Sequence, residues 1–150
     1  MTELSIRNVE DADLPSVLEM VRALAAHHGD AAQISLTELE RDCLGAVPWL
    51  RVLVAVRGAD ILGYAALCPL AQMQFGVRGM DMHHLFVCAD ARGQGVGRAL
   101  IDASIALTKL LGCRYMTVGT HPDNSEAAMV YQAAGFDSLP PPGPRFRIKI

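Results

Sequence analysis

Two adjacent imidazoles, one phenol and a run of glycines supply the chemistry available to this chain. His83 and His84 stand side by side in Met82-His83-His84-Leu85-Phe86-Val87. Imidazole titrates near neutrality, with an intrinsic pKa of about 6.5, so either ring could take up a substrate proton. Side chains alternate across a strand, so only one ring is expected to face a given site. The same alternation argues against both rings binding one metal, and no metal is expected. A few residues on comes Arg92-Gly93-Gln94-Gly95-Val96-Gly97-Arg98, three glycines and two arginines within seven residues. Glycine lets backbone approach a ligand closely. The first turn of a helix offers unpaired N–H groups and partial positive charge, which suits a diphosphate, with Arg92 and Arg98 adding full charges. A dinucleotide fingerprint would need a third glycine where Arg98 stands and an acidic residue about twenty positions on. A Walker loop would need Gly-Lys-Ser/Thr, which is missing.

These groups must be positioned by elements that the residue pattern predicts. Leu4 to Val9 alternates apolar and polar as a half-buried strand does. Asp11 and Asp13 offer N-caps, Pro15 fits a first turn, and Leu14, Val17, Leu18, Val21 and Leu24 recur at helical spacing up to His27-His28-Gly29. Ser35-Leu36-Thr37-Glu38 is a capping box that opens a short second helix running to about Leu44. Trp49–Val56 and Ile61–Leu70 read as a hairpin around Gly58-Ala59-Asp60, followed by a strand from Met80 to Val87. Val96 to Leu111 carries a clear apolar stripe, Val96, Leu100, Ser104, Leu107 and Leu111, ended by Gly112. Tyr115 to Val118 is a strand, Asn124 to Ala134 a helix closed by Gly135, and Phe136 resumes extended structure. After the loop Pro140-Pro141-Pro142-Gly143-Pro144, Phe146 to Ile150 is expected as an edge-like final strand.

Consecutive strands in the middle favour antiparallel pairing, and the helix between Val87 and Tyr115 demands a parallel crossover. The expected fold is α/β (α+β): a mixed, mostly antiparallel sheet of about six to seven strands with helices on both faces. A length of 150 residues fits a single domain over residues 1–150. With 51% apolar residues the chain can bury a core, and a net charge of −3 without a basic stripe argues against nucleic acid as partner. No apolar run is long enough for a bilayer, and Met1-Thr2-Glu3-Leu4 lacks the start of a secretory signal. Cys43, Cys68, Cys88 and Cys113 are scattered singly, as reduced thiols of a cytoplasmic protein are.

The glycine loop and a second block together resemble the GNAT superfamily of N-acetyltransferases. Arg92-Gly93-Gln94-Gly95-Val96-Gly97 matches that family's [QR]-x-x-G-x-[GA] loop, after the lead-in Leu85-Phe86-Val87. The second block is Asn124-Ser125-Glu126-Ala127-Ala128-Met129-Val130-Tyr131-Gln132-Ala133-Ala134-Gly135-Phe136. The pattern is similar to acetyltransferases of the diamine and thialysine type and covers essentially the whole chain. The resemblance implies acetyl-CoA as co-substrate and an opening between the fourth and fifth strands for its pantetheine arm. Backbone groups of Phe86 and Val87 would bind that arm or polarise the thioester, and amides from Gln94 to Arg98 would hold the pyrophosphate. Asn124 would contact pantetheine or simply cap the following helix. Tyr131 would protonate the departing CoA thiolate, or else pack its ring on the sheet.

In relatives of this type acidic residues often occupy the positions of His83 and His84. Imidazole keeps a base role for the acceptor amine, directly or through a water, with a structural histidine as the alternative for each ring. Losing two carboxylates implies an acceptor that carries less positive charge. His27, His28 and Asp30 fall where this type shapes its acceptor pocket, and solvated surface residues explain them as well. The expected reaction is acetyl transfer to a primary amine of a small molecule in a ternary complex. Acetylation of a protein N-terminus or lysine, and a non-catalytic acyl-CoA sensor, are the competing expectations. The resemblance also implies a homodimer, with Phe146 to Ile150 as its partner surface; no membrane association is expected.

Overall fold

Alternation at the N-terminus forms β1 (Leu4–Asn8), which pairs antiparallel with β2 (Arg51–Arg57). The computed structural model describes residues 2–150. Two compact units make up the chain, Met1–Gly119 and Thr120–Ile150.

In the first unit, a 3-10 turn at Asp11–Asp13 leads into α1 (Leu14–His27), with Pro15 in its first turn. Asp13 takes the N-cap position of α1 as expected, but its carboxylate makes no capping hydrogen bond to that helix. It accepts both arms of the Arg7 guanidinium at 2.6 and 2.9 Å and the Glu10 amide at 2.7 Å. Asp13 is only 5% exposed, and the hydrogen bond from Arg7 holds its carboxyl below the usual carboxylate range. This clip ties the end of β1 to the start of α1. The Ser35–Glu38 capping box forms as expected, at 3.2 and 2.9 Å, and starts α2 (Leu36–Leu44).

β2 turns at Gly58 (φ 63°) into β3 (Asp60–Gln72), which pairs antiparallel with β4 (Val77–Val87). Both strands extend further than their apolar cores predict, because they hydrogen-bond each other out to Gln72 and Val77. α3 (Val96–Leu110) crosses over to β5 (Tyr115–Val118), which lies parallel to β4. The sheet order is β1-β2-β3-β4-β5. α1 and α2 cover one face, packing Val17, Leu18, Met20, Leu39 and Cys43 on Val52, Val54, Tyr64, Ala66 and Phe86. α3 covers the other, with Val96 and Leu100 against Leu53, Ala55 and Ala65. Helices on both faces of a mostly antiparallel sheet are therefore observed.

The second unit contains α4 (Ser125–Ala133), closed by Gly135 at φ 102°. The strand count is five among the described residues, below the expected six to seven. Phe136 and the segment from Phe146 to Ile150 form no strand. Prolines at 140, 141, 142 and 144 remove amide donors along the approach, and Phe146, Ile148 and Ile150 stay exposed.

Candidate active site

β4 pairs with β5 only from Gly79 to Met82, opposite Tyr115 to Val118. From His83 to Val87 the strand continues with no β5 residue beside it, and at its end the Val87 carbonyl is met by Arg92 instead of a strand. Beyond Val87, a 3-10 turn at Ala89–Ala91 and the glycine loop lead into α3. Gly93 and Gly95 have φ of 76° and 83°, a left-handed conformation that side chains oppose. Gly95 is the N-cap, so no capping side chain covers the first-turn amides of α3. Gly97 differs from the other two. Its φ is ordinary, and an added Cβ would meet only Val87 Cγ2, at 3.7 Å. The fold itself therefore has room for a Cβ at Gly97.

The charged and polar side chains around the loop pin it in place. Arg92 Nε donates to the Val87 carbonyl at 3.0 Å, and its guanidinium lies over the Phe86 ring. Gln94 accepts from Arg57 at 3.0 Å and donates to the Asp90 carbonyl at 3.2 Å. Arg98 pairs with Asp102 one turn further along α3, at 2.9 Å. The backbone from Gln94 through Val96 and Gly97 to Arg98 thus forms a held cradle at a helix N-terminus. An extended ligand with a diphosphate fits this donor set.

The histidine pair departs from expectation. His84 is opposite Ala66 and Met82 opposite Leu67, so the register shifts there and His83 is an extra residue on β4. A bulge of this kind breaks the alternation of side chains. The two rings stack at 4.3 Å between centroids with 14° between planes, so both lie on one side of the strand. His84 Nδ1 lies 3.0 Å from the Tyr64 hydroxyl, and the Tyr64 ring also contacts Phe86. Burial pushes the Tyr64 phenol up. Burial, then the neighbouring His83 and His28, lowers His84 to about 4. Sequence reasoning missed Tyr64, which carries no signal beyond being an aromatic in a strand.

His27 ends α1 and His28 caps it, their rings meeting edge to face. Asp30 donates its backbone N–H to the Ala25 carbonyl at 2.8 Å, folding the turn back on the helix. A cleft of about 650 Å³ opens between α1 and the ends of β3 and β4. Ser16, Glu19, Ala23 and His27 line it from one face of α1, facing Phe86, Cys88 and Arg92. Ser16 and Glu19 were also missed; their signal is the spacing that puts them on the His27 face. Asp30 and the two stacked histidines do not line this cleft. No group of three or more metal-binding side chains occurs among the described residues.

In the second unit, Asn124 caps α4, its Oδ1 accepting the Ala127 amide at 3.1 Å. Tyr131 is half-buried, packs edge-on against Phe136 and has its phenol pKa raised by burial.

A strand, a held glycine loop and a helix N-terminus beside an opened parallel strand pair form a site whose shape and donors fit an extended, phosphate-bearing ligand. A family model described as the acetyltransferase (GNAT) family matches residues 18–136. The chain is 27% identical over 151 residues to the thialysine N-epsilon-acetyltransferase of Bos taurus, covering 93% of this chain and 87% of that protein. It is 27% identical over 154 residues to an L-methionine sulfoximine/L-methionine sulfone acetyltransferase of Pseudomonas paraeruginosa, covering 95% and 87%. The fold is shared with an aminoglycoside N-acetyltransferase solved in complex with CoA, at a TM-score of 0.79 and 20% identity, over 100% of this chain and 97% of that one. The chain belongs to the acetyltransferase (GNAT) family and is an N-acetyltransferase. No helix among the described residues is long and apolar enough to cross a membrane.

Proposed function

We propose that residues 1–150 act as one domain that moves the acetyl group of acetyl-CoA to a primary amine of a small molecule, by direct attack in a ternary complex. The observation that carries this reading is the cradle at α3, with Gly97 bare although the fold leaves room for a side chain. Amides from Gln94 to Arg98 hold the pyrophosphate there. The end of β4 at Phe86 and Val87, beyond the reach of β5, receives the pantetheine arm. An amide there also stabilises charge that develops on the thioester oxygen. Asn124 orders the start of α4, and Tyr131 on that helix donates its phenolic proton to the departing sulfur. A phenol is protonated at neutral pH, as a proton donor must be, and burial raises the Tyr131 pKa further.

On the acceptor side, His83 takes the ammonium proton so that the amine can attack. His27, His28 and Asp30 border the acceptor, and relatives that act on thialysine and on methionine sulfoximine or sulfone support a small amine as that acceptor.

A thiol-release screen with acetyl-CoA across small amines, amino acids and peptides tests the reading. Release with small amines and not with peptides is expected. Acyl-CoA binding with no release on any amine would overturn it in favour of a sensor. Tyr131→Phe should lower kcat about 100-fold with little change in the KM for acetyl-CoA; unchanged turnover would remove Tyr131 from the mechanism.

A further inference from the structure

We propose that the Tyr64 hydroxyl fixes His84 as the Nε2–H tautomer, so that this ring donates a hydrogen bond to an oxygen of the acceptor, a carboxylate or carbonyl, and leaves proton removal to His83. This rests on the acceptor site proposed above and narrows its substrate class to amines that also bear such an oxygen, as an amino acid does.

The tautomer follows from what a buried phenol needs. Tyr64 is 1% exposed, and its hydroxyl has one hydrogen-bond partner among the described residues, His84 Nδ1. If Nδ1 carried the proton, it would donate to the phenol oxygen, and the phenol's own O–H would be left in the core with no acceptor. If the phenol donates, Nδ1 accepts and every buried donor is satisfied. An imidazole whose Nδ1 accepts carries its proton on Nε2 when neutral. The groups that face His84 keep it neutral. Tyr64 comes from β3, His28 from the end of α1 and His83 from its own strand, and none of the three is an anion that would favour a charged ring.

Nε2 is available to a ligand. It has no hydrogen-bond partner among the described residues, yet it is absent from the buried, unpartnered atoms, of which Ser104 Oγ is the single case there. The half-buried ring therefore keeps its Nδ1 edge inward on Tyr64 and leaves its Nε2 edge accessible, outside the cleft lined by α1. A donor at that point, with no acceptor capacity, cannot take a proton from an ammonium group. It can hold an oxygen. His83, exposed and stacked on the same ring, has no such lock. The bulge on β4 thus sets two imidazoles side by side, and Tyr64 divides their tasks.

Long-range proton–nitrogen NMR on the full chain with ¹⁵N-histidine reads the tautomer directly, without turnover. His84 is expected neutral at pH 7, with Nδ1 bare and Nε2 protonated, and Tyr64→Phe should mix the tautomers. A protonated Nδ1 in the wild-type chain would overturn the proposal, and that result does not depend on whether the variant folds. In the acetylation assay, the preference for a carboxylate-bearing amine over its carboxylate-free counterpart should fall at least tenfold in His84→Leu. His84→Gln, which restores a side-chain donor, should recover it. Loss of the acidic limb of the pH–rate profile in His84→Gln would make His84 a base and also overturn the proposal. Failure of the acetyltransferase reading looks different: no thiol release from any amine, with the tautomer still measurable.

Discussion

The glycine loop and the histidine pair sit at opposite ends of the open stretch of β4 and are built by different means. The loop is local. Its shape follows from glycines at positive φ, a helix that starts immediately after them and side chains that tie it to its neighbours. The pair is non-local. Its geometry depends on a register shift against β3 and on a phenol twenty positions earlier in the chain. On the proposed function, local features hold the co-substrate and the non-local ones select the acceptor. The contrast suggests that acceptor preference can change through β3 without disturbing the cradle.

The largest expected effect is on the loop side. Gly97→Ala should leave the fold intact, its Cβ meeting only Val87 Cγ2, yet weaken acetyl-CoA binding about a thousandfold, since losing two charge-assisted hydrogen bonds costs about 4 kcal/mol. Calorimetry with acetyl-CoA and a thermal melt would check both halves. Unchanged binding would mean that the bare backbone at Gly97 serves no ligand. On the pair side, His83→Ala should lower kcat/KM about 100-fold and remove the acidic limb of the pH–rate profile, with acetyl-CoA binding retained. A parallel loss of acetyl-CoA binding would erase the distinction between the two regions.

Stability should separate them as well. Asp13→Asn breaks the clip that starts α1, the helix lining the cleft, and should cost about 2 kcal/mol by denaturant titration. The Asp13 carboxyl titrates lower when folded, so its contribution is present above its unfolded pKa, about 3.9, and is lost as pH falls through the lower folded value. His84 has the same sign in a higher window. Its folded value is depressed to about 4, so its contribution is present above about 6.5 and is lost as pH falls toward 4. His84→Gln should flatten the acid limb of the stability profile between those values. The smallest effect is expected at Ser104, whose buried Oγ on α3 has no partner among the described residues. Ser104→Ala should change stability by less than about 0.5 kcal/mol or raise it slightly, and a larger loss would reveal a hidden partner.

What sequence alone determined was everything carried by short-range signals. Caps, glycines and apolar periods located α1 to α4 and most strand centres, because each depends on residues within one or two turns of itself. The cradle and the capping role of Asn124 were legible for the same reason. Tertiary structure decided the rest. The alternation rule predicts opposite faces for His83 and His84, and only the pairing of β4 with β3 shows the extra residue that stacks them. Asp13 stands at the N-cap of α1 as its sequence position predicts, and only the fold shows that Arg7 claims its carboxylate. Phe146 to Ile150 has the alternation of a strand but needs a neighbour's hydrogen bonds to become one, and alternation supplies no neighbour. Register, partner and face belong to pairs of segments distant in the chain, so no single stretch of residues can encode them.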